Sequence, residues 1–391
     1  MMPPLPILHV ITRLIVGGAQ ENTMFTAALL DPARFDVEIL SGSQTGSEGS
    51  LIEEIRARDI SLTILPQLLR QINPQNDLLA LWKLTCQMQT QRYAIVHTHS
   101  SKAGVIGRLA ARLAGVPVIV HTVHGWSFHG HMSPLRRRLF IVLEKFAASF
   151  TDAMIVVAAP DIEKGLREGI GRPEQYHVIR SAIPLDEFDP ATVDRDAVRR
   201  ELGFPLDAPV LGNVGRFSPQ KNPLDWVRVA GEVGRALPDC RFLLVGDGPL
   251  RADVEAALVK EGIAERTVLT GLRRDVPRLL VALDVFLLTS LWEGLPRVIP
   301  QALAMRIPVV ANRADGTVEA ISHGETGFLA APGDLDALVQ YSLTLLREPE
   351  RRRAMGERGR EFANREFDVR EMVAQIARLY EQLLAQKQIE D

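Results

Sequence analysis

Short apolar runs spaced by longer amphipathic stretches set the rhythm of the chain, at residues 7–11, 37–40, 62–65, 95–98, 118–123 and 155–157. Each run is strand-length and bounded by turn residues, whereas the stretches between them carry a helical period. Strands alternating with helices predict a parallel sheet covered on both faces. The rhythm stops at residues 183–194, IPLDEFDPATVD, which hold two prolines and several carboxylates without periodicity and so read as a linker. It restarts at 210–214, 242–245, 268–269, 285–288 and 309–311. Two similar α/β domains are therefore expected. After Arg351, Arg352 and Arg353, a last helix places Met372, Ile376, Leu379 and Leu383 on one face. That face needs an apolar surface to cover.

With 391 residues, 46% hydrophobic content and 24% charge, the chain can bury two separate cores. A net charge of −3 argues against general nucleic-acid binding, which rests on basic excess. Cys86 and Cys240 stand alone, with no CxxC pair, and favour a reducing, cytoplasmic location. The first twenty residues are apolar but carry His9 and Arg13 and run into a glycine turn, unlike a signal peptide. No apolar stretch approaches the roughly 18 residues of a membrane span, so any membrane contact is expected to be peripheral.

The most informative segment is 284–303, DVFLLTSLWEGLPRVIPQAL, where a strand hands over to a helix through Glu293 and Gly294. Outside the carboxyl end of a strand, free amide groups of the following helix favour a phosphorylated ligand, and a carboxylate there can take hydroxyls. Arg216 and Lys221 lie in a similar position after the run 210–214, where a planar fork and a point charge can share one diphosphate. Isolated surface charge is the simpler reading of such a pair; placement at a strand end weakens it. Gly246 and Gly248 end another strand, and Leu272 and Arg273 follow a third. Several such loops on one edge favour a nucleotide site more than any one does. In the first half, Gly17 and Gly18 make the first strand-to-helix turn without GxGxxG spacing, so a nicotinamide fingerprint is not supported.

Six histidines fall between His97 and His131. A metal site is set aside, because there is no HExxH or cysteine pair and the histidines sit in two strand ends and a loop. His124, after the run 118–123 and before Gly125, reads from spacing alone either as a satisfied structural histidine or as a residue at a carboxyl strand edge.

In order and spacing, Gly17-Gly18, HTHSSKAG, HTVHGW, GRFSPQKN, VGDGP and SLWEGLPRVIPQALA with Asp315 to Glu319 resemble retaining GT-B glycosyltransferases of family 4, of bacterial surface-polysaccharide type. The resemblance covers nearly the whole chain. It implies two Rossmann-like α/β domains facing an interdomain cleft: residues 1–184 for the acceptor, 185–365 for the nucleotide-sugar, and a helix in 366–391 crossing back to the first domain. It implies that Arg216 and Lys221 neutralise the donor diphosphate, that Glu293 binds donor-sugar hydroxyls, and that His124 contacts the transferred sugar. Gly17, Gly18, Gly246, Gly248, Leu272, Arg273, Gly294, Leu295, Arg297, Val298 and Gln301 would complete the donor site, with backbone amides of Leu295, Arg297 and Val298 assisting. The family carries a second glutamate where this chain has Gln301, whose amide still offers an acceptor and two donors to a ribose. No metal or other cofactor is implied, since cations and helix ends replace it; the nearest acidic cluster, Asp186 to Asp189, lies in the linker.

The expected activity is thus metal-independent transfer of a sugar, with retention, from a nucleoside-diphosphate sugar, foremost a UDP-sugar, to a sugar or lipid-linked acceptor. Two rivals remain. A UDP-sugar 2-epimerase of the same fold calls for further carboxylates near the sugar C2, and a non-catalytic nucleotide-sugar-binding subunit is favoured by Gln301. Residues 134–150, PLRRRLFIVLEKFAASF, form an amphipathic helix with Leu135, Leu139, Val142, Leu143, Phe146 and Phe150 on one arc and Arg137, Arg138 and Lys145 away from it. Its apolar arc covers the sheet or, with the basic residues, meets an anionic membrane at its cytoplasmic face, and both hold if the arginines flank the acceptor entrance.

Overall fold

The computed structural model describes residues 3–44, 49–130 and 132–388. His131, the last histidine of the second cluster, lies outside them. The chain divides into two compact units, one of residues up to Ser181 together with Val369 onward, the other Ala182–Asp368.

The first unit is built on β1 (Leu5–Ile11), β2 (Phe35–Ser41), β3 (Ser61–Ile64), β4 (Ile95–His99), β5 (Val118–Val123), β6 (Ala153–Val156) and β7 (Tyr176–Val178). All pair in parallel, in the order β3-β2-β1-β4-β5-β6-β7. The order in which strands are added reverses between β1 and β4, so the loops leaving their carboxyl ends diverge and leave a crevice there. β5 is buried along its whole length, as expected of a strand covered on both faces. The helix Val369–Gln386 packs on the helix Gly18–Leu29 and buries Met372, Ile376, Leu379 and Leu383, the face its periodicity predicts.

The second unit repeats the plan with β8 (Val210–Val214), β9 (Arg241–Val245), β10 (Thr267–Gly271), β11 (Val285–Leu288), β12 (Val309–Asn312) and β13 (Gly327–Ala330). Their order is β10-β9-β8-β11-β12-β13, with the switch point between β8 and β11. The loops at the carboxyl ends of these two strands are GRFSPQKN and SLWEGLP. Residues 183–194 hold the short turns Leu185–Glu187 and Pro190–Thr192 and an isolated bridge from Ile183 to Asp368, all within the second unit.

Three features depart from the expectations. β7 and β13 are not foreseen: β7 is only three residues long, and the GFLA of β13 follows a glycine-rich turn without a distinct apolar run. The arc of the helix Pro134–Ala148 does not cover the sheet. Ile141, Glu144, Ala147 and Ala148 face inward, while Leu135, at 81% exposure, Leu139, Val142 and Phe146 face out. Burial of this helix is set by the Arg108–Glu144 ion pair at 2.6 Å, fully enclosed, which draws the Glu144 side to the core. A buried charge must meet its partner, and that requirement outweighs placing the larger apolar stripe inside.

Candidate active site

In the second unit the loop after β8 and the loop after β11 are tied together backbone to side chain. The Leu291 amide donates to Gln220 O at 2.9 Å, and Gln220 Nε2 donates to Trp292 O at 3.0 Å. Thr289 Oγ1 donates to Asn222 O at 2.9 Å, and Asn312 Nδ2 to Thr289 O at 3.0 Å. Asn213, on β8, donates to Leu287 O at 2.6 Å. Amide and hydroxyl side chains here replace the ladder bonds that strands lose once they splay apart.

That framework places Lys221 Nζ against Glu293 Oε1 in an ion pair. The Glu293 side chain is 7% exposed and Lys221 22%. The Glu293 amide donates to Asp315 Oδ2 at 3.1 Å, which fixes the backbone of the loop. Asp315 and Asn222 both hold left-handed backbone, with φ of 39° and 48°. Non-glycine residues in that region concentrate where a loop must present a group in one orientation. Arg216 is half-buried at the start of the same loop as Lys221.

Two of the expected glycines, Gly246 and Gly248, stand where loops pass close to one another. At Gly246, with φ of 136°, a Cβ would sit 2.1 Å from Gly215 O; at Gly248 it would sit 2.5 Å from Phe217 O. Their absent side chains let the loop after β9 lie on the Arg216 loop, held by Gly215 N to Val245 O and Phe217 N to Asp247 O, each 2.9 Å. Both glycines therefore shape the loop that carries Arg216. Arg273 closes its fork on Asp275, with contacts of 2.8 and 2.6 Å, while Leu272 is exposed. Gly294 and Leu295 are buried in the turn; Arg297 is also buried, and its Nε donates to Ala182 O at 2.8 Å, anchoring the linker. Val298 starts the helix Val298–Ala304, and Gln301 lies half-buried on it.

In the first unit, Gly17 and Gly18 lead into the helix Gly18–Leu29 beyond β1. His124 follows β5, its backbone turned by Gly125 at φ of 106°. Its Nε2 lies 3.2 Å from His99 Nδ1, and the two rings stack. Behind it the β-register sets His9 beside His97 and His99 beside Thr122. Strand alternation sends His97 and His99 to one face, and His9 joins them from β1. Ring nitrogens of His9, His97 and His99 all lie within 4.8 Å of one another, a geometry that could hold a metal ion. Sequence reading sees H-x-H but misses His9, because partnership across β1 and β4 is a matter of register. Burial holds these rings neutral: His9 is pushed down to about 3, and His97, His99 and His121 well below the ordinary histidine value.

The sequence-expected residues thus fall into two groups, each at a carboxyl strand edge of its own unit. Sequence reading names neither Thr289 nor Asn312, whose role is visible only once β8, β11 and β12 are adjacent.

Residues 17–182 match the glycosyl transferase 4-like domain, and residues 194–362 match glycosyl transferases group 1. The chain is 34% identical over 336 residues to the Escherichia coli UDP-Gal:alpha-D-GlcNAc-diphosphoundecaprenol alpha-1,3-galactosyltransferase, covering 85% of this chain and 86% of that one. It is 30% identical over 296 residues to the 2-deoxystreptamine glucosyltransferase of Streptomyces kanamyceticus, covering 72% and 74%. Among solved structures, Anabaena HepE in complex with UDP and glucose superposes with a TM-score of 0.82 at 24% identity, over 96% of this chain and 99% of that one. Two parallel-sheet units, strand-edge loops carrying Arg216, Lys221 and Glu293, and these likenesses lead to one assignment: the chain belongs to the glycosyl transferases group 1 family and is a glycosyltransferase of GT-B fold.

Proposed function

We propose that the protein transfers a hexose from a UDP-sugar to a lipid-linked sugar, with retention of configuration and without a metal ion. The observation that carries this reading is the 34% identity, over 85% of the chain, to a transferase whose name specifies UDP-Gal and a diphosphoundecaprenol-linked acceptor. The relatives described above are transferases, which sets the epimerase alternative aside.

In this reading the donor diphosphate meets Arg216 and Lys221. Lys221 is paired with Glu293. A diphosphate carries more negative charge than one carboxylate, so it competes for the ammonium and leaves Glu293 to accept hydrogen bonds from sugar hydroxyls. As the glycosidic bond breaks, charge grows on the leaving phosphate oxygen; Arg216 and Lys221 stabilise that charge more than the ground state, which is what accelerates the step. The leaving phosphate oxygen also takes the acceptor proton, so no pair of carboxylates of the glycosidase kind is needed. Leu295, Arg297 and Val298 amides, Gln301, and the loops of Gly246, Gly248, Leu272 and Arg273 complete the donor site, and His124 of the first unit contacts the transferred sugar.

The acceptor reading also rests on the helix Pro134–Ala148. Leu135, Leu139, Val142 and Phe146 recur at spacings of four, three and four along its outer side, with Arg138 and Lys145 along one border. Among the described residues no helix is long and apolar enough to cross a membrane. An exposed apolar stripe bordered by cations fits the headgroup region of an anionic bilayer, where the acceptor's lipid is anchored. A thermal-shift screen with UDP-, GDP- and ADP-hexoses in EDTA tests the donor assignment. A ligand that binds only the folded state raises the melting temperature. UDP-hexoses raise it; a shift confined to GDP- or ADP-hexoses, or dependent on added metal, refutes this donor reading.

A further inference from the structure

Behind His124 runs an unbroken line of hydrogen-bonding groups with no solvent access. His124 Nε2 lies 3.2 Å from His99 Nδ1, His99 Nε2 lies 2.9 Å from His9 Nδ1, and His9 Nε2 lies 3.4 Å from Tyr380 Oη. Tyr380 Oη lies 2.5 Å from His97 Nδ1, and His97 Nε2 lies 2.6 Å from Thr122 Oγ1. His9, His97, His99 and Tyr380 are fully buried. A neutral imidazole has one donor and one acceptor nitrogen, so each ring's choice dictates its neighbour's. Two orderings give every ring N–H and the Tyr380 hydroxyl an acceptor, and of these only the one in which Thr122 Oγ1 donates to His97 Nε2 also uses the buried Thr122 hydroxyl hydrogen. In one, every hydrogen points toward Thr122 and His124 carries its proton on Nε2. In the other, every hydrogen points toward His124, which then carries its proton on Nδ1. Mixed orderings place two donors or two acceptors face to face, or strand the Tyr380 hydroxyl hydrogen, at the cost of an unmade buried bond.

We propose that His99, His9, Tyr380 and His97 form a relay that fixes the tautomer of His124, and so decides whether its Nδ1 offers a donor or an acceptor. They are positioning residues. Tyr380 comes from the last helix, Val369–Gln386, so docking of that helix on the first unit completes the line. For turnover the inference rests on the reading that His124 meets the transferred sugar; for the tautomer it does not. Occupation of His9, His97 and His99 by a metal ion is the competing use of the same nitrogens, and it breaks the line.

The test pairs a spectroscopic with a kinetic readout on the full chain. Long-range proton–nitrogen spectra of 15N-histidine-labelled protein report the tautomer of each ring. In wild type His124 shows one tautomer, and in Tyr380→Phe, which removes only the hydroxyl, it becomes a mixture or switches. An unchanged His124 signal in Tyr380→Phe overturns the relay, as does stoichiometric metal in the purified protein. Thr122→Val interrupts the other end and serves if Tyr380→Phe does not fold. With UDP-galactose and a polyprenyl-diphosphate N-acetylglucosamine acceptor, Tyr380→Phe lowers kcat about tenfold with little change in donor KM. In a His124→Ala background the same change has no further effect. Equal losses in both backgrounds mark Tyr380 as merely structural and overturn the positioning role. Wild-type turnover in His124→Ala alone refutes the His124 reading while the spectra still judge the relay.

Discussion

Lys221 and Glu293 lie 72 residues apart in sequence, on loops leaving two adjacent strands, yet form an ion pair in which the carboxylate is almost wholly enclosed. An enclosed carboxylate without its cation is costly, so the pair has a structural as well as a chemical consequence. Lys221→Met is expected to destabilise the second unit by roughly 1–3 kcal/mol. Lys221→Met with Glu293→Gln recovers most of that loss. Denaturant midpoints of the two variants check this, and equal destabilisation of both contradicts it.

In the proposed transfer the same two side chains have opposite duties. Glu293→Ala and Lys221→Ala are each expected to cut turnover by about two orders of magnitude, near 2.7 kcal/mol of barrier. Steady-state assays at saturating donor measure this. Near-wild-type turnover in both variants would remove them from the site.

Gly246 offers a test of loop geometry without touching charge. Gly246→Ala places a methyl 2.1 Å from Gly215 O at a φ of 136°, so the loop bearing Arg216 must move. UDP affinity is expected to fall at least tenfold while the far-UV spectrum is unchanged. Calorimetric titration with UDP reads the effect; wild-type affinity would mean that the glycine is dispensable.

Buried histidines predict an acid-sensitive first unit. His9, His97, His99 and His121 have depressed folded-state values, so the unfolded chain binds protons that the folded chain refuses. Their contribution is complete above about 6.5 and is lost as pH falls toward the folded values, about 3 for His9. Stability is expected to fall by on the order of 1 kcal/mol per histidine per pH unit below 6.5. Melting temperatures between pH 7 and 5, above the range where most carboxylates titrate, decide it. A flat profile there would contradict neutral burial.

Much of the fold is legible in sequence because fully buried parallel strands are continuous apolar runs: β5, β8 and β11 coincide with the runs 118–123, 210–214 and 285–288. Three-residue β7 carries too little pattern to be seen. Glu293 and Lys221 are legible as residues at strand ends, but their pairing depends on β8 lying beside β11. The helix Pro134–Ala148 shows the limit most clearly. Its periodicity defines a stripe but not which way the stripe faces; the enclosed Arg108–Glu144 pair determines that. Likewise the H-x-H of β4 shows that two histidines share a face, while the third arrives through register with β1.

The outward stripe gives a direct membrane test. Arg136, Arg138 and Lys145 are exposed and Arg137 pairs with Glu168, so Arg136→Glu, Arg138→Glu and Lys145→Glu together leave that pair intact. Wild type is expected to float with liposomes rich in anionic lipid, the triple variant several-fold less, at unchanged melting temperature. Equal flotation of both would remove the membrane contact.

Sugar transfer itself is read by supplying UDP-galactose, UDP-glucose and UDP-N-acetylglucosamine, in EDTA, with polyprenyl-diphosphate N-acetylglucosamine, and determining mass and anomeric configuration of the product. One hexose added in α-linkage from a UDP donor, and absent with Glu293→Ala, is the predicted result. A β-linked product, a requirement for metal, or donor consumed to a 2-epimer with no acceptor modified would contradict it.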